Sequence, residues 1–194
     1  RGSKFYHGPL NLYLSAPDSW EIINTPSTLI FSSSYGEAFL QMTLEDLNFK
    51  ETPEEYIKRF ATNIYSEQTL NINGFEGFSA ITKRSGRTAR MAVIFKGNQV
   101  YQFIGYMRDE SLNFQKFDSD FLKIINSFRT LEDEEIALSK PLRIRAYKVR
   151  KGDTYSKLAL MSSININAED QLRLINGDYP DKPLSEGRII KVVE

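Results

Sequence analysis

Cysteine is absent from this chain of 194 residues, and histidine occurs once, at His7. The absence of cysteine excludes disulfide bonds, cysteine zinc sites and a thiol nucleophile. A single histidine without an HExxH pattern leaves histidine metal centres and Ser-His catalysis without the residue on which they depend. The sequence therefore predicts no catalytic residue, no metal site and no cofactor in this chain.

Long apolar runs and net charge are also absent. No run of about 18 apolar residues occurs, so no membrane span is predicted. The 25 basic and 25 acidic residues cancel, which argues against nucleic-acid or membrane-surface binding. Residues 1–135 carry 14 Lys/Arg and 18 Asp/Glu, net −4, whereas residues 136–194 carry 11 and 7, net +4. Two domains of opposite charge and ordinary surface variation both account for this asymmetry.

Alternation of apolar and polar residues dominates the first 107 residues and predicts antiparallel strands. Asn73-Gly74, Ser85-Gly86 and Lys96 to Gln99 are predicted turns between them. The predicted strands cover residues 10–14, 20–23, 29–31, 38–47, 70–72, 75–83, 87–95 and 100–106. Arg87 and Arg90 are expected to be exposed near a strand start.

Two amphipathic helices interrupt or follow these strands. The first begins at Thr52-Pro53-Glu54-Glu55, where Thr52 and Glu55 form a capping box, and its apolar stripe extends to Ile64. The second carries Phe121 and Phe128 on one face, and its start is predicted near Asp118 or Ser119. The predicted fold class is therefore α+β, an antiparallel sheet covered by helices.

This order of elements resembles that of PsbP-like domains. The residues that carry the resemblance are the Pro17-x-x-Trp20 pattern after the first strand and the helix ending in Ser127-Phe128-Arg129. The resemblance implies a PsbP-like α+β sandwich for residues 1–131. Residues 132–141 are predicted to form an acidic linker, and the run Glu132-Asp133-Glu134-Glu135 within it is typical of a solvated linker or a short exposed helix.

A basic segment precedes the last domain. Leu142, Ile144 and Ala146 alternate with arginines, and the apolar phase then changes to Tyr147 and Val149, which predicts a bulge or a change of strand. Six basic residues lie between positions 140 and 151 with no acidic residue among them. They are interpreted either as facing phosphate groups or an acidic partner, or as one solvated strand face.

Residues 142–194 read as strand, helix, helix and strand. Gly152-Asp153-Thr154 predicts a turn that caps the first helix, and Asn167 is the predicted cap of the second. Asn176-Gly177 ends the second helix. In the final strand Ile190 and Val192 are expected to face away from Ile189 and Lys191.

The same residues resemble a LysM domain. The resemblance rests on Tyr147, Val149, Gly152-Asp153-Thr154, Leu158-Ala159, Leu172, Leu174-Ile175-Asn176, Gly187 and Ile189 to Val192. It implies a small βααβ domain that binds peptidoglycan or another N-acetylglucosamine glycan. The implied glycan-binding residues are Gly152, Asp153, Thr154, Tyr155, Asn176, Gly177, Asp178 and Tyr179. Tyr155 and Tyr179 would present ring faces to the sugar, although Tyr155 is equally interpreted as a residue of the small core.

A chain with both of these domains resembles the C-terminal, non-catalytic part of HtpX-like, CAAX-protease-related bacterial zinc metallopeptidases. This implies an accessory region in the periplasm or cell envelope, whose partners are its own protease domain or an envelope protein. Zinc is expected only in a catalytic domain with HExxH that precedes Arg1, so this chain is expected to be a piece of a longer protein. The alternative is a structural or protein-interaction module without glycan binding. Glu186 favours this alternative, because LysM domains usually have proline at that position.

Overall fold

The computed structural model describes residues 3–48, 50–61, 63–84, 86–140, 142–164 and 167–194. The chain divides into two compact units, Arg1–Ser139 and Lys140–Glu194. The boundary falls inside the segment 132–141 that was predicted as a linker. Part of that segment belongs to the larger unit, because Glu135 pairs with Arg129 at 2.6 Å. The Arg129 guanidinium lowers the pKa of Glu135 to about 2.

The larger unit is built from nine strands and three helices within the described residues. Its strands are β1 (Lys4–His7), β2 (Leu12–Ser15), β3 (Glu21–Asn24), β4 (Leu29–Ser32), β5 (Ala38–Asp46), β6 (Ile64–Ile72), β7 (Phe75–Arg84), β8 (Arg87–Lys96) and β9 (Gln99–Met107). Its helices are α1 (Pro53–Phe60), α2 (Phe114–Asn126) and α3 (Asp133–Ile136).

Seven of these strands form one antiparallel sheet with the order β3-β4-β5-β9-β8-β7-β6. Strands β6 to β9 follow one another as hairpins, and the turn between β6 and β7 has positive φ at Asn73 (51°) and Gly74 (87°). Asparagine and glycine tolerate this backbone, which matches the twist of the flanking strands. Strand β5 joins the hairpins by pairing with β9 over nine residue pairs. The predicted antiparallel strands and the Asn-Gly turn between two of them are thus confirmed.

The main core lies between one face of the sheet and α2. Phe121 is fully buried there and meets the Trp20 ring edge-on, with centroids 5.9 Å apart. Strand β9 passes directly beneath this ring, since a Cβ added to Gly105 would lie 2.6 Å from Phe121 Cδ2. Glycine at position 105 is what allows the helix to approach the sheet.

A buried ion pair fixes α2 to the sheet. Arg90 is 4% exposed, and its Nε and Nη2 donate to the two carboxylate oxygens of Asp118 at 2.7 and 2.6 Å. Its Nη1 donates to Ser79 Oγ at 3.1 Å. The predictions of an exposed Arg90 and of Asp118 near the helix start are therefore wrong. The helix begins one turn earlier because Asn113 caps it by accepting from Gln115 N–H.

Helix α1 covers part of the opposite face of the sheet. Its predicted capping box is confirmed, because Thr52 Oγ1 accepts from Glu55 N–H and Glu55 Oε2 accepts from Thr52 N–H. Its apolar face packs Tyr56 and Ile57 on the sheet. The stripe does not extend to Ile64 as predicted, because the chain has already entered β6 at that residue.

The smaller unit has the order strand, helix, helix, strand. Its elements are β10 (Ile144–Lys148), α4 (Tyr155–Leu160), α5 (Ala168–Asn176) and β11 (Ile189–Val193). The strands pair antiparallel with an unbroken register. Ile190 and Val192 are buried and Ile189 is exposed, as predicted. Asn167 occupies the N-cap position of α5 but makes no capping hydrogen bond with its side chain.

The segment before the smaller core differs from its predicted pattern. The register of β10 contains no bulge. Ile144 is 65% exposed, whereas Val149 is buried. Leu142, Ile144 and Ala146 therefore lie on the solvent side of the chain. The core is faced only by the second set of alternating apolar residues, which contains Val149.

Candidate functional site

The loop between β10 and α4 forms one side of the candidate site. Asp153 Oδ2 accepts hydrogen bonds from Tyr147 Oη at 2.9 Å and from Arg150 N–H at 2.7 Å. The Arg150 amide and then Tyr147 lower the pKa of Asp153, although burial opposes them. Gly152 has φ +83°, a conformation that glycine adopts without strain. Asp153 therefore closes the turn that the Gly-Asp-Thr sequence predicts.

The end of this loop leads into the core of the smaller unit. Thr154 Oγ1 accepts from Lys157 N–H at 3.2 Å and caps α4. Tyr155 is buried, and its Oη donates to Asp178 Oδ2 at 2.5 Å. Burial, followed by this hydrogen bond, raises the pKa of Tyr155 to about 12. Tyr155 is thus a neutral donor over the whole physiological range of pH.

Asp178 is a buried carboxylate at the centre of a polar network. Arg188 Nη1 pairs with its Oδ2 at 2.6 Å, and Lys182 Nζ lies 3.5 Å from its Oδ1. Burial alone would raise the pKa of Asp178, but the hydrogen bonds from Tyr155 and Arg188 outweigh it and hold the pKa below its usual value. The network joins the start of α4 to the loop after α5.

Asn176 and Gly177 end α5. Asn176 Nδ2 donates to the carbonyl oxygens of Leu172 and Lys191, each at 2.8 Å, and its Oδ1 accepts from Lys191 N–H at 2.7 Å. Gly177 follows with φ +70°. Asn176 therefore holds the helix terminus against β11, and Gly177 provides the left-handed stop that the Asn-Gly pair predicts.

The importance of Asn176 for stability can be measured. Asn176→Ala removes all three hydrogen bonds, one to a part-buried carbonyl of α5 and two to exposed backbone groups of β11. We expect a loss of about 1–3 kcal/mol in the free energy of unfolding of the smaller unit. Asp181→Ala is the control, because Asp181 is an exposed residue of the same unit. Equal stabilities of the two variants in denaturant titrations would contradict the role given to Asn176.

The structure brings the two predicted halves of the glycan site together. Tyr155 of one half donates a hydrogen bond to Asp178 of the other. Of the predicted aromatic pair, only Tyr179 presents its ring, at 55% exposure. Tyr155 is buried as its core interpretation predicts, with the Arg173 guanidinium 4.7 Å from its ring centroid. Glycan binding itself stays a prediction, which now rests on the exposed residues Gly152, Thr154, Gly177 and Tyr179.

Two features of the smaller unit were not predicted as site elements. Arg188 neutralises the buried Asp178 although ten residues separate them in sequence. An open groove of about 700 Å³ follows β10 and the next residues, from Arg145 to Lys151. The sequence signal for this groove is the group of six basic residues between positions 140 and 151 with no acidic residue among them. The sequence does not show which of their groups face the groove.

In the larger unit His7 lies beside a smaller groove. Its Nδ1 accepts a hydrogen bond from Leu10 N–H at 3.2 Å, and burial lowers its pKa. The groove measures about 280 Å³, and Met42 and Leu44 contribute to its wall. Among the described residues, no group of three His, Asp or Glu side chains is arranged to hold a metal ion. Nor does the described part of the chain contain a helix of sufficient length and hydropathy to span a membrane.

Comparison with known proteins shows a fold and no family. No family model matches the sequence, and no curated protein matches it. The structure is similar to the solution structure of cyanobacterial PsbP (CyanoP) from Synechocystis sp. PCC 6803, with a TM-score of 0.51 and 10% identity. That match covers 68% of this chain and 94% of the other. The PsbP-like α+β fold is confirmed at this level, and at 10% identity it carries no function with it.

Two further structures match with lower scores. One is a crystal structure from Bacteroides thetaiotaomicron, with a TM-score of 0.48, 10% identity, and coverage of 82% of this chain and 57% of the other. The other is LpqN, involved in cell envelope biogenesis of Mycobacterium tuberculosis, with a TM-score of 0.39, 12% identity, and coverage of 60% and 81%. We draw nothing from these two similarities.

Proposed function

We propose that this chain is a non-catalytic accessory region of a bacterial envelope metalloprotease. In this proposal the smaller unit recognises peptidoglycan, and the larger unit contacts the protease domain or an envelope protein. The order strand, helix, helix, strand and the residues that resemble a LysM domain support the first part. The second part rests on the resemblance of the whole sequence to the C-terminal, non-catalytic part of HtpX-like metallopeptidases.

The observation that carries the glycan proposal is the contact between the start of α4 and the loop after α5. Tyr155, which directly follows the loop before α4, donates a hydrogen bond to Asp178 in the loop after α5. Gly152 and Thr154 are exposed on one side, and Gly177 and Tyr179 on the other. Backbone groups at the two glycines and the ring face of Tyr179 offer a sugar both hydrogen bonds and an apolar surface. The Asp178 network would hold the two loops at a fixed spacing.

The metalloprotease part of the proposal concerns a separate domain. Zinc would be held by an HExxH motif outside this chain, since the described residues contain no suitable cluster of ligands. The chain's own contribution would be to place such a domain at the cell wall. Its location would accordingly be the bacterial periplasm or cell envelope.

Sedimentation with insoluble peptidoglycan tests the glycan proposal. A shallow site buries little of a polar sugar and orders it at a cost, so we expect dissociation constants from about 1 mM to tens of micromolar. The unmodified chain should sediment with peptidoglycan. A variant with Thr154→Arg and Tyr179→Ala should stay in the supernatant while circular dichroism shows that it remains folded, because both side chains are exposed and the loss of the Thr154 cap costs only about 1 kcal/mol.

Tyr35→Ala is the matched control for the loss of an exposed ring. Tyr35 is 83% exposed and lies in the larger unit, so this variant should sediment like the unmodified chain. If the unmodified chain stays in the supernatant at high peptidoglycan loads, the glycan proposal fails. The alternative, a protein-interaction module without glycan binding, then stands, and the exposed Glu186 beside Gly187 already favours it.

A further inference from the structure

Within the part of the chain that the structure describes, β10 pairs with β11 on one side and with no strand on the other. Arg143 and Glu194 exchange backbone hydrogen bonds at 2.8 and 2.9 Å, and Val149 N–H donates to the Arg188 carbonyl at 2.8 Å. In an antiparallel pair such residues alternate with residues whose amide and carbonyl groups point away from the partner strand. Ile144, Ala146 and Lys148 are therefore the residues of β10 that direct these groups to the outer edge. An edge of this kind can pair with another extended chain.

The groove of about 700 Å³ follows this edge. Its wall is formed by every residue from Arg145 to Lys151, with Glu186 and Gly187 at one end. Side chains of a strand alternate between the two faces of the sheet, so a groove over one face would be lined by every second residue. A groove lined by consecutive residues lies along the backbone edge itself, where a pairing strand would lie.

The charge of the groove selects its occupant. It is lined by Arg145, Lys148, Arg150 and Lys151, and among the described residues of its wall Glu186 alone is acidic. Arg145 pairs with Glu194, whereas Lys148 and Lys151 make no ion pair within the part of the chain that the structure describes. Two copies paired at this edge would bring these cations together, which is unfavourable for directly opposed strands. A chain with carboxylates would instead place them beside two unpaired lysines.

We propose that the outer edge of β10 binds an acidic, extended polypeptide segment of another protein. The segment adds a third strand to the sheet of β10 and β11 and donates and accepts backbone hydrogen bonds at Ile144, Ala146 and Lys148. Its Asp and Glu side chains lie beside Lys148, Arg150 and Lys151. Backbone pairing provides affinity, and the charges set the preference for an acidic sequence. The surface ends at Arg150 and Lys151 in the loop before α4, and its lining residues do not include Gly152, Thr154, Gly177 or Tyr179, the exposed residues of the proposed glycan site.

A synthetic peptide of alternating threonine and glutamate is a suitable probe for the whole chain. A second peptide of the same sequence, N-methylated at two adjacent central residues, cannot donate hydrogen bonds from either edge at its centre. We expect the first peptide to bind in fluorescence anisotropy and the second to bind at least tenfold more weakly. Hydrogen exchange at the amides of Ile144, Ala146 and Lys148 should slow when the first peptide is added.

Two pairs of variants complete the test. Ala146→Pro removes an outward amide at an edge position, where proline is tolerated, and should weaken binding at least tenfold, whereas Ala146→Val should keep it. Lys148→Glu should weaken binding at least tenfold, and Lys116→Glu, the same change of charge in the larger unit, should leave it within twofold. Because Lys148 is exposed, its variant tests the proposal even if Ala146→Pro fails to fold.

Three results would overturn the proposal. The first is no binding of the unmethylated peptide at millimolar concentration. The second is equal binding of the two peptides, which would mean that backbone pairing is not involved. The third is displacement of the peptide by dextran sulfate with unchanged exchange at the three amides, which would show a general polyanion surface. Sedimentation of the Lys148→Glu variant with peptidoglycan separates this proposal from the glycan proposal, because neither requires the other.

Discussion

Phe121→Ala should lower the free energy of unfolding of the larger unit by about 3–5 kcal/mol. Phe121 is a residue of α2 and is fully buried against Trp20 and strand β9. Its removal takes away apolar contacts and leaves a cavity that a strand and a helix cannot easily close. Denaturant titration of the whole chain, monitored by Trp20 fluorescence, measures the effect. Phe60→Ala is the control, since Phe60 is 54% exposed and should cost less than about 1 kcal/mol.

The close contact between Phe121 and Gly105 permits a sharper version of this experiment. Gly105→Ala should destabilise the unmodified chain, because its Cβ would lie 2.6 Å from the Phe121 ring. In the Phe121→Ala background the same change should cost much less, since the obstructing ring is gone. The two substitutions should therefore be non-additive. Additive losses, or a loss below about 1 kcal/mol for Phe121→Ala, would show that α2 packs on the sheet differently.

Asp178→Ala should unfold most of the smaller unit at ambient temperature. The substitution leaves Arg188 and the buried Tyr155 hydroxyl without their carboxylate partner. Removing one member of a buried pair typically costs about 3–5 kcal/mol. At roughly 0.05–0.15 kcal/mol per residue, the entire stability of so small a unit is of the same order. Asp181→Ala, a change of an exposed aspartate nearby, should leave the unit folded.

The same carboxylate predicts how the smaller unit responds to acid. The folded pKa of Asp178 lies below its ordinary value because hydrogen bonds from Tyr155 and Arg188 outweigh the effect of burial. Its contribution to stability is therefore complete above the unfolded pKa of about 3.9, and it is lost as the pH falls through the folded pKa. Far-ultraviolet circular dichroism between pH 7 and 2 follows this loss. A smaller unit that stays folded in Asp178→Ala would contradict both expectations.

Elements whose signals are local were predicted well from the sequence. The capping box at Thr52 and the Asn73-Gly74 turn each depend on residues within one turn of chain, and both are present in the structure. The turn at Gly152 and the stop at Gly177 are of the same kind. In each case one short stretch contains all the groups that make the hydrogen bonds, so tertiary structure has little to add.

Features that depend on distant partners were not predictable in the same way. Asp118 reads as a helix N-terminal charge until the fold places it against Arg90 on β8. Leu142, Ile144 and Ala146 have the alternation of a buried face, yet the core of the smaller unit accepts only the opposite phase, which contains Val149. In the candidate site, Asp178 is recognisable only as a loop residue, because its partners Tyr155 and Arg188 come from two other segments.

The pairing of β5 with β9 has a consequence for the chain lengths that the fold tolerates. On each side of this pairing the sheet grows by short hairpins, whose turns fix the register, so one inserted residue at Asn73-Gly74 would move side chains to the wrong face. The connection from β5 to β6, in contrast, contains α1 and is not a tight turn. Doubling the length of its flexible parts would add only about 0.6 kcal/mol of closure entropy. Relatives of this chain can therefore differ in length most easily beside α1, between Asp46 and Ile64, while their hairpin turns stay constant.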